Sequence, residues 1–236
     1  MFARFAIGSL LCLVGAWHAQ AATIDVVPDD LSNGDQYRLV FVTSVRYESG
    51  SNDSARENAR VTADADAVAV LADLGATWTA IVSTTSADAR TNTDTDPTPA
   101  GSTGVPIYMI DGSRVANDYD DLWDGTLIHP INVTPTGQSS HADWSKRVWT
   151  STKTDGTARN LYPNTVTIGY ATASNGQWMG GTNSGSIKSG SDAKRLYAIS
   201  SILTASESIP EPTTLGLLLV ATVLGLGSFF FRRSRG

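Results

Sequence analysis

The sequence predicts an α+β fold, and three observations carry that expectation. Strand-like segments, Tyr37–Thr43 and Arg195–Leu203, stand first and last between two apolar ends. One alanine-rich helical stretch lies early, and no alternation of strands with helices follows it. From Ala116 to Thr182 regular periodicity fades, yet five of the six tryptophans fall between Trp78 and Trp178. Such an order is at odds with βαβ repetition. Pairing of the first and last strands would bring the ends of the domain together.

Taken in order, Tyr37-Arg38-Leu39-Val40-Phe41-Val42-Thr43 is rich in β-branched and aromatic residues and reads as a strand. Ser44 to Asp53 has turn composition. Ser54 then reads as a helix N-cap, with Glu57 three residues on completing a capping box. Ala59, Ala63, Ala67, Val70, Leu71 and Leu74 keep helical spacing to a stop at Gly75, with a break expected near Val61-Thr62. Thr77 to Ser83 is a second strand with Trp78, Ala80 and Val82 on one face. Asn92 to Gly104 reads as a loop, and Val105 to Ile110 as a short strand closed by the turn dipeptide Asp111-Gly112. Tryptophans spread through loop sequence imply long ordered loops pinned to a core. Gly176 to Ser191 reads as a mobile glycine- and serine-rich segment, and Thr204 to Ile209 as a linker.

The two ends carry an address. Arg4, the apolar stretch Phe5 to Trp17 and the small-x-small site Ala19-Gln20-Ala21 make residues 1–21 a secretory signal peptide for signal peptidase. Leu11 is too large for a lipoprotein box at Cys12, so that cysteine leaves with the leader. The mature chain then uses neither disulfides nor thiol chemistry. At the other end stand Pro210-Glu211-Pro212, an uncharged run of 17 residues from Leu215 to Phe231, and Arg232-Arg233-Ser234-Arg235-Gly236. The run makes about 25 Å of helix, enough to span a thin bilayer, with its basic flank held in the cytoplasm. The three features in this order resemble the PEP-CTERM sorting signal of Gram-negative bacteria. That resemblance implies processing by an exosortase at Pro210, Glu211 and Pro212, after a transient stay in the inner membrane. The expected organisation is a leader at 1–21, an exported domain at 22–204, a linker at 205–214, a transmembrane helix at 215–231 and a cytoplasmic tail at 232–236.

Four of the 17 basic residues lie in these targeting segments, leaving 13 against 23 acidic, a net charge of −10. A surface so charged repels phosphate backbones, so nucleic acid is not an expected partner.

Within the domain, Trp78 to Ser83, Val105 to Tyr108, Asp121-Leu122-Trp123-Asp124-Gly125, Val148-Trp149-Thr150 with Asp155-Gly156, and Leu196 to Ile199 follow one another as in the endostatin-like family. The resemblance implies a C-type-lectin-like fold over Tyr37 to Leu203, with Trp149 in the core. Ala198 stands where the family carries a cysteine. Its zinc-binding histidines and heparin-binding arginines have no counterparts here, so those activities are not carried over.

Candidate chemistry is sparse. Asn117 to Gly125 is the densest acidic segment, and Asp118, Asp120 and Asp124 have the oxygen ligands that would suit Ca²⁺. The competing reading is a turn whose carboxylates cap backbone amides around a buried Trp123. Asp94-Thr95-Asp96 offers a weaker pair. His129 and His141 are the only imidazoles of the mature chain, and neither a Gly-x-Ser-x-Gly elbow nor a His-Glu-x-x-His pair accompanies them. A glycosidase needs two carboxylates about 5–9 Å apart, and nothing in the sequence selects a pair. Trp144 and Trp178 lie in loop-rich sequence, where aromatic faces suit stacking on sugar rings. Asn52-Asp53-Ser54 and Asn132-Val133-Thr134 match a glycosylation pattern that means little without the transferase.

These readings converge on an exported protein of the cell surface or extracellular biofilm matrix. The expectation is a non-enzymatic module that binds exopolysaccharide or another matrix partner, with no catalytic residues and no cofactor beyond Ca²⁺. Two alternatives stand beside it: a polysaccharide hydrolase using an Asp pair, and a structural, self-associating envelope protein.

Overall fold

Burial along β1 (Gln36–Val42) organises the fold, since every residue after Gln36 is buried. Both its faces are covered, which is why Leu39-Val40-Phe41-Val42 is apolar without alternation, while the buried Arg38 donates to Thr93 O at 2.6 Å. The computed structural model describes residues 24–48, 53–97, 103–139, 147–159, 165–180, 186–188 and 193–206. The leader, the sorting motif Pro210-Glu211-Pro212, the run Leu215–Phe231, the basic tail, Trp144 and His141 lie outside them. Among the described residues no helix is long and apolar enough to cross a membrane.

The architecture is α+β with a mixed sheet. Its strands run β2 (Trp78–Ala80), β8 (Tyr197–Ser200), β1, β3 (Ile107–Met109), β4 (Arg114–Ala116), and β9 (Leu203–Thr204) pairs with the start of β1. β8 is antiparallel to β1 and β2, β3 is parallel to β1, and β4 returns antiparallel to β3. The first and last strands therefore pair as expected, Val40 opposite Ile199 and Tyr37 opposite Leu203. Between those two pairs the register slips by one residue. The Leu39 amide donates there to the Ser200 hydroxyl, 2.9 Å away in the buried sheet, instead of to a carbonyl. Ala205 continues the pairing, since its N–H donates to Asp35 O at 2.8 Å and its carbonyl accepts from Gly34 at 2.9 Å.

α1 (Ser54–Asp66) begins one residue earlier than its sequence suggests. Asp53 is the cap and accepts from the Ala55 amide, and Glu57 is buried in an ion pair with Arg60 at 2.8 Å. The expected break falls instead at Ala67-Val68, before α2 (Ala69–Ala72), because Val61 is fully buried inside α1. α1 and α3 (Ala89–Asn92) close the outer edge of β2. Asn58 Oδ1 accepts from the Ala80 amide at 2.9 Å, Asn92 Nδ2 donates to Ala80 O at 2.8 Å, and Thr62 Oγ1 donates to Trp78 O at 3.2 Å. The Asn58 and Asn92 amides also bond each other, at 3.1 and 3.2 Å. An edge left open would be a template for a foreign strand.

A second sheet, β5 (Arg147–Trp149), β6 (Thr165–Tyr170) and β7 (Ser186–Lys188), is antiparallel throughout. It joins the segment leading into β8 through a parallel bridge between Val148 and Arg195. Its β6 meets a 3-10 turn, Gly176–Trp178, so closely that a Cβ at Gly169 would lie 1.8 Å from Trp178 O. Glycine inside a strand marks this kind of backbone approach. The turn delivers Trp178 to the core, against Trp123 with centroids 5.9 Å apart and Tyr197 at 5.8 Å. Phe41 and Trp78 form a second pair at 4.9 Å. Trp149 is buried too, with its indole N–H on Tyr47 O at 2.9 Å.

Candidate functional site

A cleft of about 400 Å³ opens where residues 24–31 cross the β3–β4 hairpin, lined by Asp25, Asp29, Asp30, Asp111, Tyr108 and Arg114. The crossing segment is fixed at three points. Asp25 donates its N–H to Ile110 O at 2.7 Å, Val26 O accepts from Tyr37 Oη at 2.6 Å, and Asp30 Oδ2 accepts from Arg114 Nη2 at 2.6 Å. The turn Asp111-Gly112 forms the facing wall. Gly112 holds φ +82°, and a Cβ there would come within 3.1 Å of Asp25 Oδ2.

Polar groups divide the cleft into two parts. On one side Arg114 donates to Asp30 and, at 2.6 Å, to Tyr108 Oη, and its guanidinium lies 5.1 Å from the Tyr108 ring centre. The guanidinium covers that ring face, so no stacking surface is offered. Burial pushes the Tyr108 hydroxyl above its ordinary range, against the opposing charge of Arg114. On the other side Asp25 forms a parallel bridge with Asp111. Burial raises the Asp25 carboxyl, the Val27 amide opposes that, and the charges of Asp29 and Asp111 raise it further. The site thus combines donors suited to hydroxyl groups with a field that favours cations.

The acidic segment singled out in the sequence is built differently. α4 (Tyr119–Leu122) is capped by Asp118, whose Oδ1 accepts from the Asp121 amide at 2.9 Å. Asp121 Oδ2 accepts from the Asn117 amide at 2.6 Å, and Asp124 Oδ1 from the Thr126 amide at 2.7 Å and its hydroxyl at 2.9 Å. Asp120 sits exposed on the outside of α4. Trp123 is buried and donates its indole N–H to Thr95 O and Oγ1, both at 3.0 Å. Carboxylates that cap amides around a buried tryptophan are the arrangement of a structural turn. Among the described residues no group of three or more His, Cys, Asp or Glu is arranged to hold a metal ion.

Asp124 also belongs to a recurring device. Asp111-Gly112-Ser113, Asp124-Gly125-Thr126 and Asp155-Gly156-Thr157 each turn with the aspartate accepting from the amide two residues on, at 3.0, 2.7 and 2.9 Å. Each glycine has positive φ. These Asp-Gly-Ser/Thr triplets are visible in the sequence as a repeated word. Burial pushes the Asp155 carboxyl up, but the Thr157 hydroxyl and amide, with Lys153 and Arg90, bring it net below its ordinary value.

Trp178 is fully buried, which leaves it no face for a sugar ring. His129 is exposed and its Nδ1 sits 2.7 Å from Arg114 O, a backbone contact at the rim of the hairpin. Asp94 lies beside Arg38, and Asp96 beside Arg90 at 3.6 Å. The cleft residues Asp25, Asp29 and Asp30 were not signalled, because only the fold brings residues 24–31 to the hairpin. No model of a known protein family matches this chain, and no curated protein matches it.

Proposed function

We propose that this is an exported surface or matrix protein, processed by an exosortase and acting as a non-enzymatic binding module for exopolysaccharide. The observation that carries the reading is the order Pro210-Glu211-Pro212, uncharged Leu215–Phe231, then Arg232, Arg233 and Arg235. Signal peptidase and the exosortase are the processing partners, and the inner membrane is the intermediate station. Within the same reading the domain is C-type-lectin-like and endostatin-like. Strands at Trp78–Ala80, Ile107–Met109 and Tyr197–Ser200, inside the segments that carry the resemblance, support that assignment. A fold of this class does not by itself imply sugar binding.

Two experiments test the proposal. Replacing Pro210, Glu211 and Pro212 by alanine leaves an uncut, membrane-bound protein, and release at the normal size refutes the sorting assignment. Co-sedimentation of the released protein with its producer's exopolysaccharide, with calcium or chelator, tests the partner. Saturable binding with unchanged polymer length supports the module, and the contacts are expected at the Asp30–Arg114 side of the cleft. Shortening of the polymer makes the protein a hydrolase instead.

A further inference from the structure

The sequence holds two Asn-Gly pairs, Asn33-Gly34 and Asn175-Gly176. In such a pair the glycine nitrogen can attack the asparagine Cγ, because the following residue has no Cβ to hinder the approach. Ammonia leaves, a succinimide ring closes, and water reopens it to aspartate or isoaspartate. Water is the only co-reactant. We propose that Asn33 is a self-modification site of this kind, locked while Gly34 N–H is bonded to Ala205 O and open when residues 203–205 leave the sheet. The inference stands apart from the reading of the chain's two ends.

Asn33 and Gly34 are exposed in the middle of the turn from Ser32 to Asp35. Asp35 N–H on Ser32 O at 3.0 Å and Ser32 N–H on Asp35 Oδ2 at 2.8 Å close that turn. Gly34 holds φ +93°, and a Cβ there would meet nothing within 4 Å, so a closing ring has room. What the folded state withholds is the nucleophile. Attack needs the Gly34 nitrogen stripped of its proton, and that proton is shared with Ala205 O at 2.9 Å. Removing it would set a negative nitrogen against the carbonyl oxygen of a buried residue. The lock itself is local. It sits beside the two-residue strand β9, and short terminal pairings open at far lower free energy than a core. Asn175 is the contrast. Its Oδ1 accepts from the Gln177 amide at 3.1 Å, and its turn seats the fully buried Trp178, so freeing it disturbs the core. Conversion at Asn33 adds a carboxylate two residues from Asp35. Isoaspartate also inserts an extra main-chain atom ahead of Gly34, which displaces that residue from Ala205. An opening that ends in conversion therefore loosens the strand for good.

The test incubates the full-length protein at mildly alkaline pH and reads isoaspartate at both pairs by peptide mapping with isoaspartyl methyltransferase labelling. Ala205→Pro removes the N–H that donates to Asp35 O at 2.8 Å and so unseats residues 203–205. Conversion at Asn33 is expected to run about tenfold faster in this variant than in the parent, with Asn175 unchanged. Asn33→Gln, one methylene longer, is expected to abolish the product at the first pair. Equal rates at Asn33 in parent and Ala205→Pro overturn the proposal, as does the absence of conversion there in both. If Ala205→Pro unfolds the domain, Asn175 also converts faster, and Leu203→Gly then decides. That variant loosens the strand while keeping every backbone hydrogen-bonding group. Faster conversion at Asn33 alone supports the lock, and any other pattern overturns it.

Discussion

Gly169→Ala is expected to be the most damaging single-methyl change in the domain. The added Cβ would lie 1.8 Å from Trp178 O, 2.7 Å from its carbonyl carbon and 3.3 Å from the Met179 nitrogen. All three are backbone atoms, so no side-chain rotation relieves the clash. Restoring an ordinary contact requires β6 and the Gly176–Trp178 turn to part by roughly 1.5 Å, with an overpacking cost of about 1–3 kcal/mol. The same separation pulls on the bond from Thr150 Oγ1 to Met179 O at 2.7 Å, which is buried. Losing it adds about 1–3 kcal/mol. A total near 4 kcal/mol corresponds to a fall in Tm of about 10 °C for a domain of this size. Scanning calorimetry of parent and variant measures it directly. A fall under about 2 °C refutes the reasoning, since it would mean the turn yields without disturbing the core.

Asn58→Ala removes the acceptor for the Ala80 amide and its partner amide on Asn92, and is expected to cost about 2–3 kcal/mol by denaturant unfolding. The same variant should self-associate more readily in sedimentation, because it unseals the β2 edge. Ser200→Ala leaves the buried Leu39 amide without its acceptor and is expected to cost about 1–3 kcal/mol, read as a shifted urea midpoint with unchanged slope. For pH, the Asp155 carboxyl is held below its ordinary value in the fold. Its contribution is therefore complete above the unfolded carboxylate pKa of about 3.9 and is lost as pH falls through the folded value. Asp155→Ala should lower Tm at neutral pH and converge with the parent in acid. Asp25 has the opposite sign: its raised folded pKa makes it a cost above that value, relieved as pH falls toward the unfolded one. Asp25→Asn should raise Tm at neutral pH, and an unchanged or lower Tm would count against the reasoning.

Much of the sheet was legible because several of its strands are written in residues that have few other options. Tyr37 to Val42, Trp78 to Ala80 and Tyr197 to Ser200 are apolar enough to announce themselves, and the turn at Asp111-Gly112 is spelled out. α1 was legible in kind, but its cap was misplaced by one residue, since Asp53 and Ser54 are both good caps and only the neighbouring pairs decide between them. β4 and β5 were hidden for a different reason. Each has three residues, too few for a period to show, and β5 is held besides by a partner strand, β6, that lies across a long loop. β6 did carry a signal in Thr165-Val166-Thr167-Ile168, overlooked amid loop composition. At the candidate site, Asp111 and Gly112 could be read locally. Their apposition to Asp25 could not, because it depends on a segment folding back across the hairpin.

The short pairing of β9 with the start of β1 has a mechanical consequence. A pull on the chain beyond Ser206 first meets Ala205 against Gly34 and Asp35, then Thr204 against Gln36 and Leu203 against Tyr37. These rungs load one at a time, as in a zipper. Behind them stands β8, held between β1 and β2 along its length and loaded only when the whole strand must slide. Tension from a tether would therefore pay out about five residues, roughly 15–20 Å, before reaching the sheet itself. The domain carries a built-in strain relief at the end by which it would be held.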